Sequence, residues 1–95
     1  MNVAELRNGR GTTGQAGETP VAVYKSNGSL SVFQNQCTHL KCRLFWNDDE
    51  KVWDCPCHNS RFTPEGKVVR GPAKKPLIQL DYQIHEGQIN VGSAR

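Results

Sequence analysis

The apolar residues of this chain fall in short segments separated by glycine, proline and other turn-forming residues. Between these turns the chain either alternates apolar with polar positions or runs apolar for four to seven residues. That pattern is typical of many short β-strands, and no segment shows the 3.6-residue period of an amphipathic helix. The pattern therefore predicts an all-β protein.

Two hairpins are predicted from their turns. Residues 19–25 and 29–35 flank Asn27-Gly28, a dipeptide that readily takes the positive φ angles of a tight hairpin turn. Near the C-terminus, apolar residues at period two and a following strand make a closing hairpin over residues 78–91, with its turn at Glu86-Gly87. We expect this hairpin to pack on the strand of residues 19–25.

A third hairpin is predicted in the middle of the chain, where residues 42–46 and 51–54 flank a polar turn. We expect its two tryptophans, Trp46 and Trp53, to fill a core under this hairpin. Residues 63–66 read as a turn before a short strand at 67–70. The Gly-rich segment 8–17 is predicted to be a mobile loop.

The size and charge of the chain limit its function. Its 95 residues fit one domain, 1–95, and so short a chain gains from a metal cluster or a disulfide. A formal charge of +3, without basic residues interleaved with aromatics, gives no indication of nucleic-acid binding. No apolar run reaches the roughly 18 residues of a membrane span, and the N-terminal residues do not resemble a signal peptide, so we expect a cytoplasmic location.

The chemically distinctive residues lie in two segments, Cys37-Thr38-His39-Leu40-Lys41-Cys42 and Cys55-Pro56-Cys57-His58-Asn59-Ser60. Each segment holds a cysteine and a histidine within three residues of one another, so together they offer two sulfur and two nitrogen ligands. This set suits a metal centre. A non-redox module with structural zinc is the alternative, although zinc sites usually pair cysteine with cysteine and histidine with histidine. No Ser-His-Asp or paired-carboxylate arrangement is evident, so we do not expect the chain to be an enzyme on its own.

The two segments resemble the ligand loops of the Rieske [2Fe-2S] domain, in the branch whose loops read Cys-Thr-His-Leu-x-Cys and Cys-Pro-Cys-His. The similarity covers about half the chain and extends to Pro76-Leu77. It implies a Rieske-type antiparallel β-sandwich or barrel, with a small cluster-binding subdomain at about 37–73 inserted in a β base formed by 1–36 and 74–95. It also implies one-electron transfer through one [2Fe-2S] cluster per chain.

The same resemblance assigns the site residues. Cys37 and Cys55 would bind the inner iron, and His39 and His58 the outer iron, with their free ring nitrogens toward solvent. Histidine ligation places the potential of such clusters at roughly −150 to +300 mV, above plant-type clusters. The remaining cysteines would form a disulfide, and further residues would surround the cluster: Cys42 and Cys57 for the bridge, and Ser60, Leu40, Pro72 and Phe62 for the surroundings.

This sequence departs from the family pattern at three positions. Glycine is usual where this chain has Lys41 and Asn59, and lysine takes left-handed backbone poorly, so we expect the first loop to differ locally. At the position of Phe62, high-potential members of the family carry a tyrosine, and the hydroxyl of that tyrosine donates a hydrogen bond to the sulfur of a cysteine ligand. Ser60 is retained and could still donate, which predicts a potential in the middle of the range.

The sequences of the motifs, Trp53 to His58 and Ser60 to Phe62, most resemble those of Rieske domains joined to FAD-dependent oxidoreductases of the amine-oxidase type. They resemble those of cytochrome bc-type subunits less closely. The expected partner is therefore a redox protein or a fused flavin domain. Basic residues near the loops form a solvated face or steer an acidic partner. They are Lys41, Arg43, Arg61, Lys67, Arg70, Lys74 and Lys75.

Overall fold

The computed structural model describes residues 1–39 and 41–95, and these residues form strands and turns without a helix. The prediction of an all-β protein is confirmed. The strands are β1 (Arg10–Ala16), β2 (Thr19–Ser26), β3 (Ser29–Gln34), β4 (Phe45–Asn47), β5 (Val52–Asp54), β6 (Arg61–Phe62), β7 (Val68–Arg70), β8 (Leu80–His85) and β9 (Gln88–Ala94).

The strands make three antiparallel sheets, with the orders β1-β2-β3, β4-β5-β6-β7 and β8-β9. The central strand of the first sheet, β2, is buried on both faces, because its neighbouring residues belong to different cores. Val21 and Val23 pack with Leu80 and Ile89 of the last hairpin. Ala22, between them, packs in the core that contains the tryptophan and the free cysteines of the metal segments. The first sheet therefore lies between the closing hairpin and the four-stranded sheet.

The first and last predicted hairpins are confirmed. Asn27 and Gly28 have φ angles of 51° and 81°, the signs that a two-residue hairpin turn needs. The apolar pattern of β8 was only partly informative, since Ile84 is 47% exposed and Ile78 is 36% exposed. Ile89 on β9 is buried instead. Leu80 reaches the shared core, whereas the turn end of the hairpin extends beyond it.

The prediction of a mobile loop at 8–17 is wrong, because most of that segment is strand β1. Each residue from Arg10 to Ala16 pairs with β2. The glycine at position 11 reflects close packing: a Cβ there would lie 2.7 Å from the Trp46 ring and 2.9 Å from the Trp53 ring. A glycine within a strand can mark such a close approach of two elements, and the glycine content of a segment does not by itself indicate flexibility.

The middle hairpin, β4 with β5, has an apolar and a polar face. On the inner face Trp46 pairs with Trp53, and their ring centroids are 5.0 Å apart. Trp53 is fully buried, so the predicted packing role of the tryptophans is confirmed. On the outer face Asp54 pairs in register with Phe45 and Arg61. Cys55 follows Asp54 directly, so the hairpin places both metal segments at one end. The assignment of a subdomain to residues 37–73 stays a prediction.

Candidate metal centre

The two metal segments have the same backbone hydrogen bonding. In the first ligand loop (residues 37–42), the Cys37 N–H donates to the Cys42 carbonyl and the Lys41 N–H to the Cys37 carbonyl, both at 2.8 Å. In the second ligand loop (residues 55–60), the Cys55 N–H donates to the Ser60 carbonyl at 2.9 Å and the Asn59 N–H to the Cys55 carbonyl at 3.1 Å. Each loop thus curls around its first cysteine.

Lys41 and Asn59 occupy equivalent positions in these loops. Their φ angles are 59° and 64°, in the left-handed region that favours glycine. Lys41 thus takes the backbone conformation of the glycine it replaces, and the expected local difference of the first loop from the family pattern stays a prediction. Lysine adopts the left-handed conformation at a cost of roughly 1–2 kcal/mol.

A disulfide joins the loops, as predicted from the resemblance. It links Cys42 to Cys57, whose Cα atoms are 6.5 Å apart. These two sulfurs and that of Cys55 lie within 4.8 Å of one another. Because a disulfide offers no thiolate, the three sulfurs do not form a ligand set. Cys37 and Cys55 are the free cysteines of the site.

The free cysteines and the histidines differ in exposure. Cys37 and Cys55 are 1% and 2% exposed, whereas His39 and His58 are exposed. The two imidazole rings face each other edge to face, with centroids 5.4 Å apart. The site therefore places two thiols inside and two imidazoles outside, with both pairs drawn from both loops.

The environment of the Cys55 thiol changes its pKa. Burial raises its pKa, although the backbone N–H groups of Cys57 and His58 act in the opposite direction. The nearby Cys37 side chain raises the pKa further. A bound metal ion reverses this effect, because a coordinating thiol loses its proton. The Cys55 thiol thus resists ionisation without a cation, and the buried Cys37 beside it offers a second sulfur to a metal.

Side chains of the two loops hold the segment that follows β7. The Ser60 side chain is fully buried, and its hydroxyl oxygen accepts the Ala73 N–H at 3.0 Å. The Thr38 hydroxyl donates to the Lys75 carbonyl at 2.6 Å. Pro72, predicted to lie over the cluster, is an exposed residue of this segment. The segment is thereby fixed beside both loops.

Of the other predicted surroundings, Phe62 is fully buried in the same core as Cys37 and Cys55. Leu40 lies outside the described residues. Sequence reasoning missed the roles of Thr38 and of Asn35, whose buried side-chain carbonyl accepts the Leu44 N–H at 2.7 Å and closes the base of the first loop. A polar residue at the end of an apolar strand was the only signal for Asn35.

Two buried thiols opposed by two exposed imidazoles, on disulfide-linked loops of an all-β fold, define an iron-sulfur electron-transfer module. Residues 1–88 match the family model for the Rieske [2Fe-2S] domain. The chain belongs to this family. Its cofactor is a [2Fe-2S] cluster and its function is electron transfer, and the zinc alternative finds no support.

Several known Rieske proteins are similar to this chain in sequence or in structure. The cytochrome b6-f complex iron-sulfur subunit of Chlorobaculum tepidum is 35% identical over 91 residues, 96% of this chain and 50% of the relative. The Rieske 2Fe-2S iron-sulfur protein YhfW of Bacillus subtilis is 59% identical over 54 residues, 57% of this chain and 11% of the relative. The crystal structure of the plasma membrane Rieske protein PetC3 from Synechocystis superposes with a TM-score of 0.71 at 31% identity, covering 85% of this chain and 84% of that one.

This chain spans half or less of the length of these two curated relatives. Within the described part of the chain, no helix is long and apolar enough to cross a membrane.

Proposed function

We propose that Cys37 and Cys55 bind one iron of the cluster and that His39 and His58 bind the other. The observation that carries this proposal is the burial of both free thiols beneath two exposed imidazoles. When bound, the cluster takes up and releases one electron. Within this proposal, residues 37–73 form the cluster-binding subdomain.

The protein residues have separate tasks in this proposal. The buried cysteines would hold one iron away from water, and the disulfide keeps the two loops in contact. The exposed histidines would hold the other iron at the surface, where a partner can approach closely. Each histidine keeps one ring nitrogen free, which can hold or release a proton at the protein surface.

The electron-transfer potential is set partly by hydrogen bonds to sulfur, which stabilise the more negative reduced cluster. The Ser60 hydroxyl accepts the Ala73 N–H, so its own hydrogen is available to donate to the cluster. Phe62, at the position of the family's tyrosine, has no hydrogen to donate. These two residues support a potential in the middle of the Rieske range.

The physiological setting is a larger oxidoreductase system. The match to YhfW spans 11% of that protein, so a closely similar segment lies within a much longer chain. This match and the sequences of the motifs together support a redox protein or a fused flavin domain as the partner. The predicted cytoplasmic location is kept as part of this proposal, and its alternative is association with a membrane, which the similarity to a plasma membrane Rieske protein supports.

Visible absorption and EPR spectra of the reduced protein test the ligand set. We expect His39→Gln and His58→Gln to lose the Rieske spectrum. His85→Gln is the matched control, because the His85 side chain is 83% exposed and far from cysteine in sequence. A wild-type spectrum in either ligand variant, or a colourless zinc protein, would contradict the proposal.

A further inference from the structure

The surface beside His39 differs from the surface beside the second ligand loop. A cleft of about 200 Å³ opens next to His39, and its walls include two lysines and two exposed apolar residues. The lining residues are Gln36, Thr38, His39, Lys41, Lys75, Pro76 and Ile78. The cleft therefore combines positive charge with apolar surface at the edge of the metal centre.

The charges of this cleft are available to a partner. No carboxylate lines it, and within the described residues neither Lys41 nor Lys75 has a carboxylate oxygen within 4.0 Å. Glu65 and Lys75 both line a neighbouring cavity, in which Lys41 does not take part. Lys74, which precedes Lys75 in the sequence, is exposed as well.

The two arginines beside the second ligand loop each have an internal partner. A cavity of about 320 Å³ beside the second ligand loop is lined by Cys55, Asp54, Arg61 and Arg70, among others. Arg61 forms an ion pair with Asp54 at 2.7 Å, and Arg70 donates to the Asn59 carbonyl at 3.1 Å. Asp54 thus neutralises Arg61, and Arg70 is held by the backbone of the second ligand loop, whereas the described residues place neither kind of partner on the ammonium groups of Lys41 and Lys75.

We propose that an acidic redox protein docks on the His39 cleft and exchanges electrons through His39. Its carboxylates face Lys41 and Lys75, and an apolar contact covers Ile78 and Pro76. Complementary charge mainly raises the association rate and is weakened by salt, while the apolar contact holds the complex. The inference rests on the proposed ligand set, because His39 must bind the outer iron.

Stopped-flow oxidation of the reduced holoprotein tests this docking surface. The probes are an acidic bacterial cytochrome c and a basic mitochondrial cytochrome c, each measured from low to high salt. We expect the acidic cytochrome to react faster at low salt, with a rate that falls about tenfold or more as salt screens the charges. A faster reaction with the basic cytochrome, or a rate independent of salt, would overturn the proposal.

Variants locate the effect on the protein. Lys41→Asn removes the charge while keeping a residue that tolerates left-handed backbone, and Lys75→Gln removes the second charge. Each should lower the low-salt rate several-fold and converge with wild type at high salt. Ile78→Ser should lower the rate at every salt concentration. Lys67→Gln, exposed on the turn before β7 and outside the cleft, is the control.

The spectra separate this inference from the proposed function. Variants that keep the Rieske EPR spectrum but react like wild type with the acidic cytochrome refute the docking site and leave the ligand set intact. A wild-type protein without that spectrum refutes the ligand set itself. If Lys67→Gln slows the reaction as much as Lys75→Gln, the effect comes from net charge and the cleft is not the docking site.

Discussion

Gly11→Ala tests the packing of β1 against the metal hairpin. The added Cβ would lie 2.7 and 2.8 Å from two Trp46 ring atoms and 2.9 Å from Trp53, whereas ordinary contacts begin at 3.4 Å. One element must therefore move by about 0.7 Å, the difference between 3.4 and 2.7 Å. Trp53 is fully buried and cannot swing outward. Overpacking of this kind costs roughly 1–3 kcal/mol.

Two other glycines provide matched controls. At Gly92, in β9, a Cβ would meet only the Asp81 Cβ at 3.8 Å. Gly92→Ala should therefore stabilise the fold by roughly 0.4–1 kcal/mol, because alanine lowers the conformational entropy of the unfolded chain. At Gly14, in β1, the obstacle is the flexible Met1 side chain, with its sulfur at 2.8 Å. Because Met1 can rotate away, Gly14→Ala should be close to neutral. The three variants share one chemical change and differ only in surroundings.

The assay is thermal unfolding of the disulfide-intact holoprotein at one scan rate, followed by circular dichroism and cluster absorbance. Each kcal/mol lost from the free energy of unfolding lowers the midpoint of a domain of this size by roughly 4–8 °C. A loss of about 1 kcal/mol or more should therefore lower the midpoint of Gly11→Ala by at least about 4 °C. Cluster loss makes unfolding depart from two states, so midpoints are compared only within the series. A Gly11→Ala midpoint equal to that of Gly92→Ala would refute the packing and restore the mobile loop.

Further variants test the loops and the cluster surroundings. Lys41→Gly should raise the midpoint, because relief of a left-handed strain of roughly 1–2 kcal/mol exceeds the glycine entropy cost of roughly 0.5–1 kcal/mol; an unchanged or lower midpoint would contradict this. The Lys51 ammonium, followed by the Trp46 indole N–H, lowers the pKa of Asp48. Its ionised form therefore stabilises the fold above its unfolded pKa of about 3.9, and this contribution is lost as pH falls through the lower folded pKa. Asp48→Asn should thus lower the midpoint at pH 6 and converge with wild type as the pH falls below the folded pKa of Asp48, and a difference that is constant with pH would count against the contact. Ser60→Ala removes the acceptor of the buried Ala73 N–H, which should cost roughly 1–3 kcal/mol and lower the potential in voltammetry. Phe62→Tyr should raise the potential by about 59 mV for each 1.4 kcal/mol by which its hydrogen bond favours the reduced cluster; an unchanged potential would refute the role assigned to that position.

The elements that the sequence predicted well depend on local chemistry. Asn27-Gly28 forms its turn because both residues accept positive φ without help from distant groups. The two Cys-His segments were recognisable for a similar reason, since a metal requires particular atoms and short spacing restricts how these can be arranged. The same spacing could not show that both segments share one backbone turn.

The elements that were missed depend on contacts between distant residues. The Gly-rich segment 8–17 reads as flexible by composition, yet β2 and two tryptophan rings make it a strand. Period two in β8 showed a strand, but it could not show that Ile84 lies beyond the core and that Ile89 fills it.

By itself, the sequence determined the all-β class, the principal turns and the donor atoms of the metal centre, because these follow from residue type and short spacing. Only the tertiary structure decided which donors are buried, which loop segments meet, and which lysines remain free beside His39. Thr38 and Lys75, 37 residues apart in sequence, meet only because separate sheets bring their loops together. Burial and charge pairing are properties of such long-range contacts, and no local pattern encodes them.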